Sequence, residues 1–206
     1  MKLEREQLQM VLALFVVAAI AAILLGLTDI VTREPIAAAR KEALHRALQQ
    51  VLPAHTNDPQ AEAVDVDGKV IYPARDHGKL AGMAWEVIAP DGYSGSIRIL
   101  VGVHPDGHVL AIRVTDHKET PGLGDGIVRN QAWVDSFRGR GLDDVRWKVK
   151  KDGGDFDQFT GATISPRAVV KAVKGALEFY RAKQTAIVGR LNGNSESVPG
   201  SAGGGE

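Results

Sequence analysis

Two threonines, Thr160 and Thr163, stand three residues apart around Gly161 and Ala162 in the run Asp157-Gln158-Phe159-Thr160-Gly161-Ala162-Thr163-Ile164-Ser165-Pro166. The run leads into a helix, predicted from Val169, Val170, Val173, Leu177 and Tyr180 at helical spacing. A helix mouth offers unpaired amide N–H groups and the positive end of the helix dipole, which suit a phosphate. Ser165 followed by Pro166 reads as the start signal, with the serine hydroxyl as cap and proline at the first helical position. Spacing alone therefore supports two readings: hydroxyls that cap the helix, and a hydroxyl presented to a phosphate at its mouth. A threonine is a weak nucleophile without a base beside it, and the run holds no histidine.

A second cluster lies upstream, at His117-Lys118-Glu119-Thr120-Pro121-Gly122-Leu123-Gly124. It follows a predicted strand directly, where loops on a rigid scaffold carry function. Gly122 and Gly124 allow backbone to approach a flat ligand, and Leu123 offers a surface to pack on its ring. Read alone, the segment is also an ordinary strand-to-helix connection.

Asp157, Thr160, Gly161, Ala162 and Thr163 form Asp-x-x-Thr-Gly-Ala-Thr, which resembles the flavinylation motif of an FMN-binding domain. That domain is shared by the G subunit of Rnf electron-transport complexes and the C subunit of the sodium-pumping NADH:quinone reductase. Residues 119–124 resemble the Glu-Thr-Pro-Gly-Leu-Gly signature of the same domain, in the same order along the chain. The resemblance runs from the apolar N-terminal stretch to about Lys183, without departure inside the motif. The run from Asp152 to Thr163 and the overall length are more similar to the Rnf G subunit.

The resemblance implies FMN attached to Thr163 through a phosphoester, transferred from FAD by a separate flavin transferase. It further implies flavin contacts from Thr160, Gly161, Ala162, Glu119, Thr120, Gly122, Leu123 and Gly124. His117 and Glu119 become candidates for tuning flavin protonation, and Lys151 for neutralising phosphate charge. No independent catalytic site is expected. Such a chain relays electrons among the subunits of a membrane complex that couples exchange between NADH and a ferredoxin or flavodoxin to ion movement. Two alternatives stand beside it: a flavinylated carrier of another membrane redox system, and a flavin-free, membrane-tethered binding module.

Composition agrees with an imported redox centre. There is no cysteine, which excludes disulfides, thiolate metal sites and cysteine-ligated iron–sulfur clusters. Formal charge is zero without a basic block, so nucleic acid finds no electrostatic footprint. Met10 to Leu27 carries no charge and is long enough for a membrane-spanning helix, placed at 8–28 after a short cytoplasmic segment, 1–7. A cleavable signal peptide fits less well, because no small-residue cleavage site follows before Asp29. Lys2 and Arg5 precede the span while Arg33, Arg40, Lys41 and Arg46 follow it, so charge alone argues against an exported domain. The resemblance instead places the flavin domain on the outer side of a bacterial inner membrane.

Beyond the span, Pro35 reads as an interruption. Ile36, Ala39, Ala43, Leu44, Ala47, Leu48, Val51 and Leu52 then mark an amphipathic helix ending before Pro53, within a stalk or first packed helix at 29–60. The domain proper is expected at 61–190. It opens with a hairpin turning at Asp67-Gly68, followed by strands at 81–89, 96–104 and 108–116 joined by Pro-Asp-Gly turns. A helix up to about Gly139 and a strand through Val145, Trp147 and Val149 follow. The expected class is α+β, an antiparallel meander with packed helices. Residues 191–206, rich in Asn, Ser, Gly and Pro, read as a disordered tail. No metal site is expected. His104 and His108 lack a third ligand, and the acids between Asp152 and Asp157 miss the order of a calcium loop.

Overall fold

The structure is a computed structural model that describes residues 5–193. The expected tail lies from residue 194 onward outside the described residues. The chain divides into two units, Met1–Leu44 and His45–Glu206.

Helix α1 runs Arg5–Val51. Its apolar side chains from Leu8 to Val31 are exposed, and by length and composition it is able to cross a membrane. Thr28 and Thr32 turn their hydroxyls onto the carbonyls of Leu24 (2.8 Å) and Thr28 (2.7 Å), which hides these polar groups against the backbone. Pro35 lies inside the helix, contrary to its reading as an interruption. An interior proline costs about 3 kcal/mol through its missing N–H and its clash with the carbonyl four residues back. The alanines that follow it, among the best helix formers, and the long run before it carry the helix through.

In the second unit, strands β1 (Val64–Val66), β2 (Lys69–Asp76), β3 (Lys79–Ala89), β4 (Ile97–Val103) and β5 (Val109–Asp116) form one antiparallel sheet in chain order. The first turn is the expected one, with Asp67 and Gly68 both at positive φ, 53° and 76°. That geometry matches the twist of the flanking strands. The second turn, His77-Gly78, repeats it (46° and 80°) and extends β2 and β3 beyond the strands expected from the sequence.

Alternation assigns the faces. Met83, Trp85 and Val87 of β3, with Ile97, Ile99 and Val101 of β4, are buried in the core shared with helix α4 (Ile164–Leu191). Trp85 stacks on Tyr180 at 6.2 Å and meets the edge of Phe179 at 6.1 Å. The opposite face, with Ala84 and Leu100 buried, receives the end of α1. Gly102 permits that approach, because a Cβ there would overlap the Val51 carbonyl. Leu48, Val51 and Leu52 are buried accordingly. Helix α4 continues through buried Ile187 and Leu191, past the Lys183 where its apolar pattern weakens.

The segment between β5 and α4 departs most from expectation. In place of one helix there are two short ones, α2 (Gly126–Arg129) and α3 (Gln131–Asp135), broken at Asn130, whose side chain accepts from Trp133 N (3.1 Å). In place of the expected strand there is a single bridge between Val149 and Phe156 and a short 3₁₀ turn, Lys150–Asp152. Aromatic stacking orders this stretch: Phe137 lies 4.6 Å from Phe156, and Trp147 5.1 Å from Phe156. The alternating apolar residues therefore face an aromatic cluster and form no ladder.

Candidate functional site

Three segments converge at the mouth of α4. The first is the loop after β5. The carbonyl of Thr120 accepts from the amides of Leu123 (3.2 Å) and Gly124 (3.1 Å), and Gly122 N donates to Asp125 Oδ1 at 2.8 Å. This tight coil places Leu123 outward, 49% exposed, and buries Glu119. The second is the turn between β3 and β4, where Tyr93 stands exposed and Ser94 N donates to Glu119 Oε1 at 3.2 Å. The third is the run from Asp157 to Ser165.

The third segment is anchored from below. Trp133 Nε1 donates to the carbonyl of Asp157 at 2.8 Å, and the Trp133 ring meets Phe159 at 5.2 Å. Ala162 N then donates to Phe159 O at 3.1 Å, closing a turn around Gly161, whose φ of 79° favours glycine. Thr163 is the residue before the helix, and its hydroxyl makes no capping hydrogen bond. The amides of Ile164 and Ser165 have no backbone partner, as at any helix start. Ser165 is not the cap read from the sequence. Its hydroxyl is buried and donates to Glu119 Oε2 at 2.6 Å, which ties the first loop to the helix mouth.

Together these segments enclose a cavity of about 230 Å³. Of the residues singled out from sequence, Glu119, Thr120, Leu123, Gly124, Gly161, Ala162 and Thr163 line it. Gly122 and Thr160 are exposed and do not line it. Tyr93, Ile164 and Ser165 line it as well, and sequence reasoning missed all three as site residues. An exposed aromatic in the glycine-bearing turn after Pro90 was the available signal for Tyr93. Tyr93, Leu123 and Ile164, 70%, 49% and 42% exposed, form an apolar rim. The arrangement suits an amphipathic ligand: amides and a free hydroxyl at the helix mouth for an anion, and apolar surface at the edge for a flat ring.

Neighbouring charges are paired. Lys171 holds Asp91 at 2.8 Å, and this hydrogen bond lowers the Asp91 pKa. Arg167 grips Asp152 through two bonds of 2.6 and 2.9 Å, which lowers the Asp152 pKa. Lys150 pairs with Asp157 at 2.7 Å and Arg146 with Asp155 at 2.9 Å. The acids of this loop thus serve ion pairs. Lys151 contributes its backbone N–H to Gln158 Oε1 at 3.2 Å. His117 Nδ1 accepts from Glu119 N at 3.1 Å, which fixes the ring beside the loop. Away from the site, His104 and His108 each place Nδ1 2.9 Å from Asp106 Oδ1, forming a His–carboxylate cluster.

Comparison with known families defines the class: a chain with an FMN-binding domain and a helix long and apolar enough to cross a membrane. The FMN-binding domain family matches residues 92–178, from the Tyr93 turn into α4. The G subunit of the ion-translocating oxidoreductase complex of Aliivibrio fischeri is 48% identical, over 85% of this chain and 90% of the relative. Its namesake from Pseudomonas aeruginosa is 41% identical, over 89% and 93%. The crystal structure of NqrC from Shewanella oneidensis matches with a TM-score of 0.49 and 21% identity, over 64% of this chain and 74% of that one. The chain belongs to the G-subunit family of Rnf-type ion-translocating oxidoreductase complexes.

Proposed function

We propose that this chain is a membrane-anchored flavoprotein subunit that carries FMN on Thr163 and relays electrons between partner subunits of an Rnf-type complex, which couples NADH–ferredoxin exchange to ion translocation. The observation that carries the proposal is the free Thr163 hydroxyl at a helix mouth, inside the cavity lined by Glu119, Thr120, Leu123 and Gly124. FMN fits these residues in two parts. The Ile164 and Ser165 amides, which have no backbone partner, would hold its phosphate, and the apolar rim would hold its ring system. When bound, the flavin supplies the redox chemistry, and the chain supplies position and electrostatics.

Attachment needs an external enzyme. Among the described residues no histidine lines the cavity, and Glu119, the carboxylate that does, already accepts from the Ser94 amide and the Ser165 hydroxyl. A flavin transferase acting on FAD supplies the base. Thr163 Oγ1 attacks the phosphorus on the FMN side, the pyrophosphate bond breaks, AMP leaves, and the hydroxyl proton passes to the transferase. The tether then holds the flavin at high effective concentration. The domain faces the outer side of the inner membrane, with α1 as its single span. Intact mass of the full chain co-produced with a flavin transferase tests the proposal. The native chain is expected to gain the mass of FMN less one water, and Thr163→Ala none. A Thr163→Ala chain that keeps the added mass refutes the assignment. Protease accessibility in intact spheroplasts tests the orientation.

A further inference from the structure

Glu119 is 4% exposed, and both carboxylate oxygens are held only by neutral donors: Ser94 N on one and the Ser165 hydroxyl on the other. Among the described residues no lysine, arginine or histidine forms an ion pair with it. Glycines crowd it from two sides. A Cβ on Gly92 would stand 2.8 Å from Oε1, and one on Gly124 2.7 Å from Oε2. Burial of an uncompensated charge is costly, and a glutamine or an apolar residue would fill this space at less expense. The carboxylate also lines the cavity that contains Thr163.

We propose that Glu119 sets the redox potential of the flavin at this site, its carboxylate making electron uptake less favourable. The inference rests on the flavin reading above. Reduction of FMN adds two electrons. With one proton taken up at N5 the ring carries a negative charge, and a second proton at N1 neutralises it. Negative charge gained in the cavity that this buried carboxylate lines is disfavoured, because burial leaves few water dipoles to screen it. Glu119 therefore lowers the potential and makes the reduced flavin a stronger donor. Ser165 acts against it, since its hydroxyl disperses charge from Oε2.

The test uses the full chain in detergent, loaded with FMN by a co-produced transferase and titrated with dithionite in a spectroelectrochemical cell. Glu119→Gln is expected to shift the midpoint potential positive, while Glu119→Asp, which keeps the charge, stays closer to the native value. Ser165→Ala is expected to shift it negative, because the carboxylate loses the donor that disperses its charge. A site that is merely loosened moves Glu119→Gln and Ser165→Ala in the same direction. Shifts of equal sign, or a Glu119→Gln potential equal to the native one, overturn the inference. If Glu119→Gln takes up no flavin, Ser165→Ala decides: a negative shift supports the inference, and an unchanged or positive one overturns it. A native chain without FMN mass is seen before any titration and overturns the flavin reading together with this one.

Discussion

Ser165→Ala isolates the contact that joins the helix mouth to the loop after β5. The native bond is a short O–H···O⁻ contact of 2.6 Å between a residue 1% exposed and one 4% exposed. Hydrogen bonds to charged groups contribute about 1.5–3 kcal/mol, and a buried charge deprived of its donor loses that contribution in full. Among the described residues the Ser94 amide at 3.2 Å is the one remaining donor, and it is too long to take up the difference. Alanine returns a few tenths of a kcal/mol, about 0.3–0.5, as the better helix former. The net expectation is a loss of about 2 kcal/mol, which corresponds to a fall in Tm of about 4–8 °C for a chain of this size.

Thermal unfolding of the full chain in detergent, followed by near-UV circular dichroism, measures it. Leu in place of Glu119 supplies the second arm. With the carboxylate gone there is no charge to desolvate, so the Glu119→Leu, Ser165→Ala pair is expected to cost less than the sum of the two single changes. A Ser165→Ala chain melting within about 1 °C of native, or strictly additive losses, would show that the bond contributes nothing and would remove the link between the two loops.

Three further outcomes follow from separate parts of the molecule. Gly102→Ala forces a methyl group against the Val51 carbonyl, a backbone atom that cannot rotate away, and is expected to lower stability by about 1–3 kcal/mol in denaturant titration. Phe137→Ala empties the centre of the aromatic cluster beneath the run that ends at Thr163. With Phe137 fully buried, the expected loss is about 3–5 kcal/mol, with flavin loading reduced in the same preparation as read by in-gel fluorescence. The third concerns pH. His108 places Nδ1 2.9 Å from Asp106 and Nε2 3.3 Å from Asp144, and a neutral imidazole has only one N–H for these two acceptors. The close approach of its ring to the Asp106 carboxylate raises the His108 pKa against desolvation, with the charges of Asp106 and Asp144 adding to the rise. A raised folded value means stability that is full below the ordinary value of about 6.5 and is lost as pH climbs through the folded one. Burial works to raise the Asp106 carboxyl, but the bond from the His108 amide and the close approach of both rings outweigh it and hold it at about 2. Its contribution disappears as pH falls from about 4 towards that value. Denaturation midpoints between about pH 5.5 and 8.5 are expected to decline in the native chain and to lie flatter in Asp106→Asn. Equal slopes would argue against the cluster.

Much of the fold was legible because single residues determine it. Asp67-Gly68 announces its hairpin, since both positions need positive φ. His77-Gly78 makes the same turn unannounced, because histidine is no turn marker and tertiary pairing of β2 with β3 holds it there. The alternation of Val145, Trp147 and Val149 mimics a strand, yet periodicity cannot distinguish a ladder from a loop whose apolar side chains enter an aromatic cluster. At the site, the two motifs were visible as strings, and the structure places most of their residues around one cavity. The role of Ser165 was hidden. A serine before a proline suggests a cap, and only the three-dimensional proximity of Glu119, 46 positions away, shows where its hydroxyl is used.

The same geometry distinguishes three hydroxyls that composition leaves equivalent. Thr160 is exposed and lies outside the cavity lining, while Ser165 is buried and occupied by Glu119. Thr163 lines the cavity, half-buried, and its hydroxyl makes no capping bond. Attachment at Thr163 therefore requires no hydrogen bond to be surrendered, whereas attachment at Ser165 forfeits the Glu119 contact and leaves a buried carboxylate short of a donor. Thr163→Ser keeps a hydroxyl in the same place and is expected to retain FMN. Thr163→Ala is expected to lose it without relocation to either neighbour, and Thr160→Ala to keep it. Fragment masses of the peptide spanning residues 157–167 read each case directly. FMN found on Thr160 or Ser165 in the Thr163→Ala chain would mean that the transferase selects the loop as a whole, and that the accessibility of one hydroxyl is not what determines the site.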